Sequence, residues 1–309
     1  MKWDVLLKKT IFAVADNAAM QRFFDKYGMQ IGVQRFVAAE SLEKTVAAVK
    51  SLNAQGLEVT LDYLGESVTD REAALEAVDM ILQTYDAIRD HGLNANVSVK
   101  LTQLGLRIDQ TFCAANMDRI ASCARNKGNF VRIDMEDSTA TSQTLAIYKS
   151  LLNRFGSRHV GIVIQSCLKR SMADMRELGR FGANVRVVKG AYQEPPDVAY
   201  KDKKDVDANY IKLVKHHLAG GCYAAIATHD QAIIGRLKTY ITERSIAEDQ
   251  FEFQMLYGIA SQLQKQLVQE GFRVRVYTPF GSRWYPYFTR RIAERPANLW
   301  FVLKNLLRR

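Results

Sequence analysis

Eight short segments of the chain are rich in Val, Ile, Phe and Tyr, and each ends at a glycine or a polar cluster. Segments of this length and composition are typical of buried β-strands. The longer stretches between them repeat apolar positions with helical spacing, as residues 71–92 do. Alternating strands and helices predict a parallel sheet, and eight such units predict a closed (β/α)8 TIM barrel. The predicted strands lie within residues 57–65, 94–102, 129–137, 159–166, 184–192, 223–230, 251–258 and 273–281.

The segment before the first predicted strand reads as extra N-terminal helices, residues 1–55, and the barrel as residues 56–309. No Pro-rich or Gly/Ser-rich linker interrupts the sequence, so we expect residues 1–309 to form a single catalytic domain. The alternative architecture is an open doubly wound sheet, which carries a G-x-G-x-x-G turn when it binds a dinucleotide. The chain contains no G-x-G, which disfavours a dinucleotide site of that kind.

The chain is basic, with 43 Lys and Arg against 33 Asp and Glu, and a formal net charge of +10. These charges are spread along the sequence without a nucleic-acid recognition motif, so we expect no nucleic-acid partner. The charge favours peripheral contact with an anionic membrane surface over nucleic-acid binding.

Cysteines and the N-terminus point to a cytoplasmic protein. The four cysteines form no C-x-x-C pair and have no histidine at zinc-ligand spacing, so we expect reduced thiols and no metal site. The first apolar run is broken by Asp16 and Asn17, too early for a signal peptide or a membrane-spanning helix.

Polar residues gather at the ends of the predicted strands, where a barrel carries its chemistry. The period of two puts Ser98 and Lys100 on one face of the second strand, and Arg132 and Asp134 on one face of the third. Charged positions alternating with valine in a covered strand predict a polar barrel mouth. Two enzyme readings stay open for Lys100, namely a Schiff-base lysine of an aldolase or a lysine paired with a carboxylate such as Asp134.

Two adjacent arginines, Arg290 and Arg291, follow an aromatic segment near the end of the chain and precede Glu294 by about one helical turn. One explanation is a solvated helix face with Glu294 as the ionic partner. Such an exposed ion pair would stabilise the helix by only ~0.3–0.5 kcal/mol. A pocket that binds a small carboxylate explains them better, because guanidinium groups grip carboxylates in a planar, bidentate manner.

Six motifs, in this order, resemble the proline dehydrogenase family in its stand-alone bacterial form. They are VSVKLTQLG (97–105), IDMEDS (133–138), RVVKGAY (186–192), ATHD (227–230), EFQMLYG (252–258) and YTPFGSRWYPYFTRRIAERPANL (277–299). The resemblance implies a distorted (β/α)8 barrel whose last helix lies over the barrel mouth, and an FAD cofactor bound without a Rossmann motif. It also implies oxidation of L-proline to 1-pyrroline-5-carboxylate by hydride transfer from proline C5 to flavin N5. The electrons would pass to a membrane quinone, in the first step of proline catabolism to glutamate.

The resemblance also assigns roles to individual positions. Asp134 and Arg186 match catalytic positions, and Arg186 is expected near flavin N5. The implied substrate-binding residues are Lys100, Tyr277, Arg290, Arg291 and Glu294, with Lys100 and Asp134 forming an ion pair and Glu294 acting as the partner of the arginines. The implied FAD contacts are Met135, Gln165, Arg186, Lys189, Gly190, Ala191, Thr228 and His229.

Overall fold

Eight parallel strands close into a barrel in the computed structural model, which describes residues 32–294, and their side chains as far as residue 292. The strands pair in sequence order, and β8 pairs with β1 to complete the ring. All eight predicted strands and the (β/α)8 barrel are therefore confirmed. The strands are β1 Glu58–Tyr63, β2 Ala95–Val99, β3 Val131–Ile133, β4 Val160–Gln165, β5 Asn184–Val188, β6 Ala224–Ala227, β7 Phe251–Leu256 and β8 Val274–Phe280.

Helices fill the connections between the strands, and one helix precedes β1 and another follows β8. Several begin where an aspartate accepts a hydrogen bond from the first turn, as Asp70 does from the amide of Ala73 at 2.8 Å and Asp109 from that of Phe112 at 2.9 Å. The helices are α1 Leu42–Asn53, α2 Arg71–Asp90, α3 Gln110–Asn126, α4 Thr141–Phe155, α5 Ser171–Arg180, α6 Lys203–Ala219, α7 Gln231–Glu243, α8 Ser261–Gln269 and α9 Tyr285–Glu294.

The N-terminal part of the chain is described only from residue 32. Residues 32–55 contain a short 3-10 helix, Val33–Arg35, and α1, whereas the rest of the predicted helical segment, residues 1–31, lies outside the described residues. None of the helices within residues 32–294 combines the length and apolar character that crossing a bilayer requires.

The strands bury apolar residues outward against the helices and polar residues inward. On β1, Val59 and Leu61 belong to the large barrel core, while Thr60 and Asp62 are buried polar residues of the alternate face. Hydrogen bonds across the barrel show that the polar face points inward, because Arg186 on β5 reaches Ser98 on β2. This polar interior is what the alternation of charge and valine predicts.

A second, smaller core lies beside the barrel. It joins residues of the N-terminal segment to α9 and the residues just before it, and includes Phe36, Val37, Leu64, Trp284 and Phe288. This small core places α9 where its polar side chains line the mouth of the barrel instead of packing outside β8.

Candidate active site

A cavity of about 490 Å³ opens at the carboxyl ends of the strands. Its walls come from the ends of β2 to β8, and α9 closes one side with Tyr287, Arg290 and Arg291. The cavity brings together all the predicted site residues whose side chains the structure describes, while the side chain of Glu294 lies outside the described residues. The predicted residues that line it are Lys100, Asp134, Met135, Gln165, Arg186, Lys189, Gly190, Ala191, Thr228, His229, Tyr277, Arg290 and Arg291.

Lys100 is held chiefly by Asp62, a residue for which the sequence assigned no definite role. Its Nζ lies 2.8 Å from each carboxylate oxygen of Asp62 and 3.7 Å from Asp134 Oδ2. The expected ion pair with Asp134 is therefore the longer of two contacts. Strand register explains this, because Asp62 pairs with Ser98, two residues before Lys100 and on the same face.

The charge of Lys100 is fixed by its surroundings. Burial alone would lower the pKa of Lys100, but the negative charges of Asp62, Asp134 and Glu66 outweigh burial and raise it. An aldolase lysine must give up its proton to attack a carbonyl group. The environment of Lys100 opposes that step, which disfavours the Schiff-base alternative.

Asp134 is bound from two sides. Arg186 Nη1 donates to its Oδ1 at 2.7 Å, and the hydroxyl of Tyr277 donates to its Oδ2 at 2.7 Å. Lys100 Nζ in turn lies 3.2 Å from the Tyr277 hydroxyl. Burial, together with the charges of Asp134 and Asp62, raises the pKa of Tyr277 well above its usual value. Tyr277 therefore stays protonated and acts as a hydrogen-bond donor.

Arg186 is fully held by side chains of the barrel interior. Beyond its bond to Asp134, Nη2 donates to Ser98 Oγ at 3.0 Å and Nε donates to Gln254 Oε1. The amide of Gln254 donates in turn to Glu252, which is held by Arg275 at 3.0 Å. The sequence placed Glu252 and Gln254 on the seventh predicted strand but gave them no role in the site. Their polar side chains on a buried strand are the feature that could have indicated such a role.

The wall formed after β5 and β6 is fixed by ion pairs and by a close backbone approach. Lys189 Nζ lies 2.6 Å from Asp207 Oδ1 and 3.0 Å from Asp230 Oδ2. Gly190 has a φ of 105°, and a Cβ added there would lie 2.3 Å from the sulfur of Cys167. Only glycine fits this position without a clash, so the turn after β5 packs closely against Cys167.

Thr228 and His229, which the ATHD motif predicts as FAD contacts, also hold the loop after β6 through hydrogen bonds. His229 Nε2 accepts from the amide of Leu256 at 2.9 Å, and Thr228 Oγ1 accepts from the amide of Asp230 at 3.1 Å. Asp230 also caps α7 by accepting from Ala232. These bonds hold the loop after β6 in place along the cavity wall.

On the opposite side, α9 directs its arginines to the cavity. Arg290 pairs with Glu66 through both guanidinium Nη atoms, and the Nη1 to Oε2 distance is 2.8 Å. Burial would raise the pKa of Glu66, but the charges of Lys100 and Arg290 outweigh it and lower this pKa. Arg291 also lines the cavity, and its guanidinium carbon lies 5.2 Å from the centre of the Tyr287 ring. Glu66, which the sequence did not single out, is thus the observed partner of Arg290.

The cavity is therefore lined by several cations and aromatic rings, a composition suited to a small anionic ligand beside a flat, largely apolar one. Among residues 32–294, no group of three or more His, Cys, Asp or Glu side chains is arranged to bind a metal ion.

Comparison with known proteins identifies the family. The profile of the family described as "Proline dehydrogenase" matches residues 45–304. The chain is 42% identical over 308 residues to "Proline dehydrogenase" of Deinococcus radiodurans, covering 99% of both chains. It is 41% identical over 304 residues to "Proline dehydrogenase 1" of Bacillus subtilis strain 168, covering 98% of this chain and 100% of the relative.

A solved structure supports the same relationship. The fold resembles the crystal structure of proline utilization A (PutA) from Bdellovibrio bacteriovorus inactivated by N-propargylglycine, with a TM-score of 0.81 and 26% sequence identity. The match covers 89% of this chain and 34% of that one, so the chain spans about a third of that longer protein. With a family profile that covers most of its length and two relatives above 40% identity, the chain belongs to the proline dehydrogenase family.

Proposed function

We propose that this protein is an FAD-dependent enzyme that oxidises L-proline to 1-pyrroline-5-carboxylate and passes the electrons to a membrane quinone. The observation that carries the proposal is that two α9 arginines and a buried network of Lys100, Asp134 and Tyr277 line one cavity. Two relatives named proline dehydrogenase, matched over nearly the whole chain, support the same substrate.

The cavity wall fits a flavin. Gln165 Oε1 is a buried acceptor without a hydrogen-bond partner among the described residues, which a ring N–H can satisfy. Gly190 lines the same wall of the cavity as Gln165. The residues that would hold FAD are Met135, Gln165, Arg186, Lys189, Gly190, Ala191, Thr228 and His229. When bound there, FAD would supply the oxidising chemistry, as the hydride acceptor at N5 for proline C5.

Arg290 and Arg291 would bind the carboxylate of proline. Each charge-assisted contact of this kind contributes ~1.5–3 kcal/mol, and two of them fix both the position and the rotation of a small ligand. Glu66 holds Arg290 by both Nη atoms, so this guanidinium is already oriented when the ligand arrives. Pre-orientation lowers the entropy lost on binding.

Lys100, Asp134 and Tyr277 would act on the ring and amine end of the substrate. The amine must be neutral before the adjacent carbon can release hydride. Lys100 keeps its positive charge, which opposes a second cation beside it and so favours the neutral amine. Tyr277, held by Asp134, would pack against the ring and exclude water.

Arg186 would place a permanent positive charge on the cofactor side of the cavity. Its bonds to Asp134, Ser98 and Gln254 leave it little freedom to move. A fixed cation of this kind stabilises negative charge that develops nearby, without reorganising during the reaction.

The quinone acceptor implies contact with a membrane. The net charge of +10 supports a peripheral association with the anionic cytoplasmic leaflet, and hence a cytoplasmic location beside the membrane.

The test is spectroscopic. The purified protein is expected to be yellow, and anaerobic addition of L-proline is expected to bleach the flavin absorbance with formation of 1-pyrroline-5-carboxylate. A colourless protein that is trapped at Lys100 by borohydride with a carbonyl substrate would instead support the aldolase reading. A flavoprotein that proline does not bleach would overturn the proposed substrate.

A further inference from the structure

Residues 32–40, which we name the strap, run beside the connection from β8 to α9. We propose that the strap is a positioning element of the site, which holds α9 so that Arg290 and Arg291 are presented to the substrate carboxylate. This inference rests on the proposed function, and it adds a part of the chain outside the barrel to the residues that determine substrate affinity.

Backbone hydrogen bonds tie the strap to the end of β8 and to the first residue of that connection. The amide of Ala38 donates to the carbonyl of Pro279 at 2.9 Å, and the amide of Gly281 donates to the carbonyl of Ala39 at 2.9 Å. The indole Nε1 of Trp284 then donates to Glu40 Oε1 at 3.0 Å. The strap thus fixes the residues that lead directly into α9.

Side chains of the strap form the apolar surface against which α9 packs. Phe36 and Val37 are fully buried in the small core, together with Phe288 and Ile292 of the helix. The Phe36 and Phe288 rings lie 6.0 Å apart between centroids. Phe288 and Ile292 flank Arg290 and Arg291 in sequence, so the residues that anchor α9 are directly adjacent to those that would bind the ligand.

A close backbone contact holds the strap from the other side. A Cβ added at Gly258, in the turn after β7, would lie 1.6 Å from the carbonyl oxygen of Arg35. No side chain fits at that distance, so any other residue at position 258 forces the strap and the turn apart. Gly258 also has a φ of 69°, which by itself disfavours other residues.

The position of α9 therefore depends on the small core and its contacts, and only indirectly on the barrel core. Because misplacing a binding group by about 1 Å can reduce a reaction up to 100-fold, a small shift of the strap is expected to weaken the carboxylate contacts. The predicted FAD contacts lie at the ends of β3 to β6, whereas the strap contacts the end of β8, the turn after β7 and α9.

The first test compares Gly258→Ala with Gly128→Ala in the flavoprotein. Gly128 has a similar φ of 61°, but a Cβ there meets nothing within 4 Å, so it reproduces the backbone strain without the steric contact. Gly258→Ala is expected to raise the proline KM by about tenfold or more with unchanged flavin content, and Gly128→Ala to change it by less than about twofold. Equal KM values in the two variants would overturn the inference.

The second test uses the hydrogen bond to Trp284. Glu40→Leu removes the acceptor of a buried indole N–H, whereas Glu40→Gln keeps an acceptor oxygen. Glu40→Leu is expected to raise the proline KM several-fold, and Glu40→Gln to restore it. A merely destabilising role would lower the stability of Glu40→Leu without changing the KM of the folded fraction, and that result would overturn the inference.

A measurement without substrate separates this inference from the proposed function. Hydrogen exchange of peptides that span α9 is expected to be faster in Gly258→Ala than in Gly128→Ala, whether or not proline is the substrate. If the native flavoprotein does not oxidise proline, the proposed function fails and faster exchange still supports the strap as the support of α9. If proline is oxidised but exchange and KM are the same in both variants, the strap inference alone fails.

Discussion

Replacing Asp62 by asparagine should reveal how much the charge pair on the barrel floor contributes to stability. Asp62 is fully buried, and both of its carboxylate oxygens lie 2.8 Å from Lys100 Nζ. Two unit charges at that distance attract by about 6 kcal/mol at an effective dielectric constant of 20. Asparagine keeps an acceptor oxygen but leaves the lysine charge without its nearest carboxylate.

The expected loss for Asp62→Asn is therefore about 3–5 kcal/mol in the free energy of unfolding, as is found when one partner of a buried pair is removed. Adding Lys100→Met removes the stranded charge as well. The double variant should be more stable than Asp62→Asn, because a neutral pair of similar volume no longer has a buried charge to compensate.

The assay is urea unfolding at neutral pH, with FAD at the same concentration for all proteins because bound ligand adds to apparent stability. The native protein, both single variants and the double variant form a complete cycle, which isolates the coupling between the two side chains. A loss below about 1 kcal/mol for Asp62→Asn, or a double variant less stable than that single variant, would refute the charge-pair reasoning.

Three further perturbations test separate parts of the molecule. Arg291→Met should raise the proline KM by about 10- to 100-fold with flavin content retained, and near-normal proline kinetics would contradict the carboxylate role. Gln254→Met removes the acceptor of Arg186 Nε, so the rate of anaerobic flavin reduction should fall, and an unchanged rate would contradict its positioning role. Burial lowers the pKa of His217 to about 4. As pH falls below about 6.5, this histidine becomes protonated in the unfolded chain but stays neutral in the folded chain. The free energy of unfolding should therefore fall progressively from about pH 6.5 towards pH 4. In urea unfolding, His217→Gln should reduce this pH dependence, whereas His216→Gln, at the exposed neighbouring position, should leave it unchanged.

The sequence predicted the strands better than it predicted the pairing of charges between them. Local periodicity is enough to find eight strands, because each strand carries its own pattern. The partner of a buried cation depends on closure of the barrel and on register, which no local pattern contains. Arg290 meets Glu66 across 224 residues, and Arg186 meets Gln254 across 68. The positions of the site residues came from the family resemblance, whereas Asp62, Glu66 and Gln254 required the three-dimensional arrangement.

The two cores divide the cavity into parts that can vary separately. The proposed cofactor wall is carried by strands of the large core, so a substitution in that core is expected to displace the wall as well. Helix α9, which carries Arg290 and Arg291, packs on the small core. Residues of that core, such as Phe36 and Phe288, do not belong to the barrel core. Substitutions near the strap should therefore change substrate affinity before they change flavin binding. Substitutions in the large core, between the strands and the outer helices, should lower flavin content and stability together. A variant of the small core that lost flavin while keeping its affinity for a proline-sized carboxylate would contradict this division.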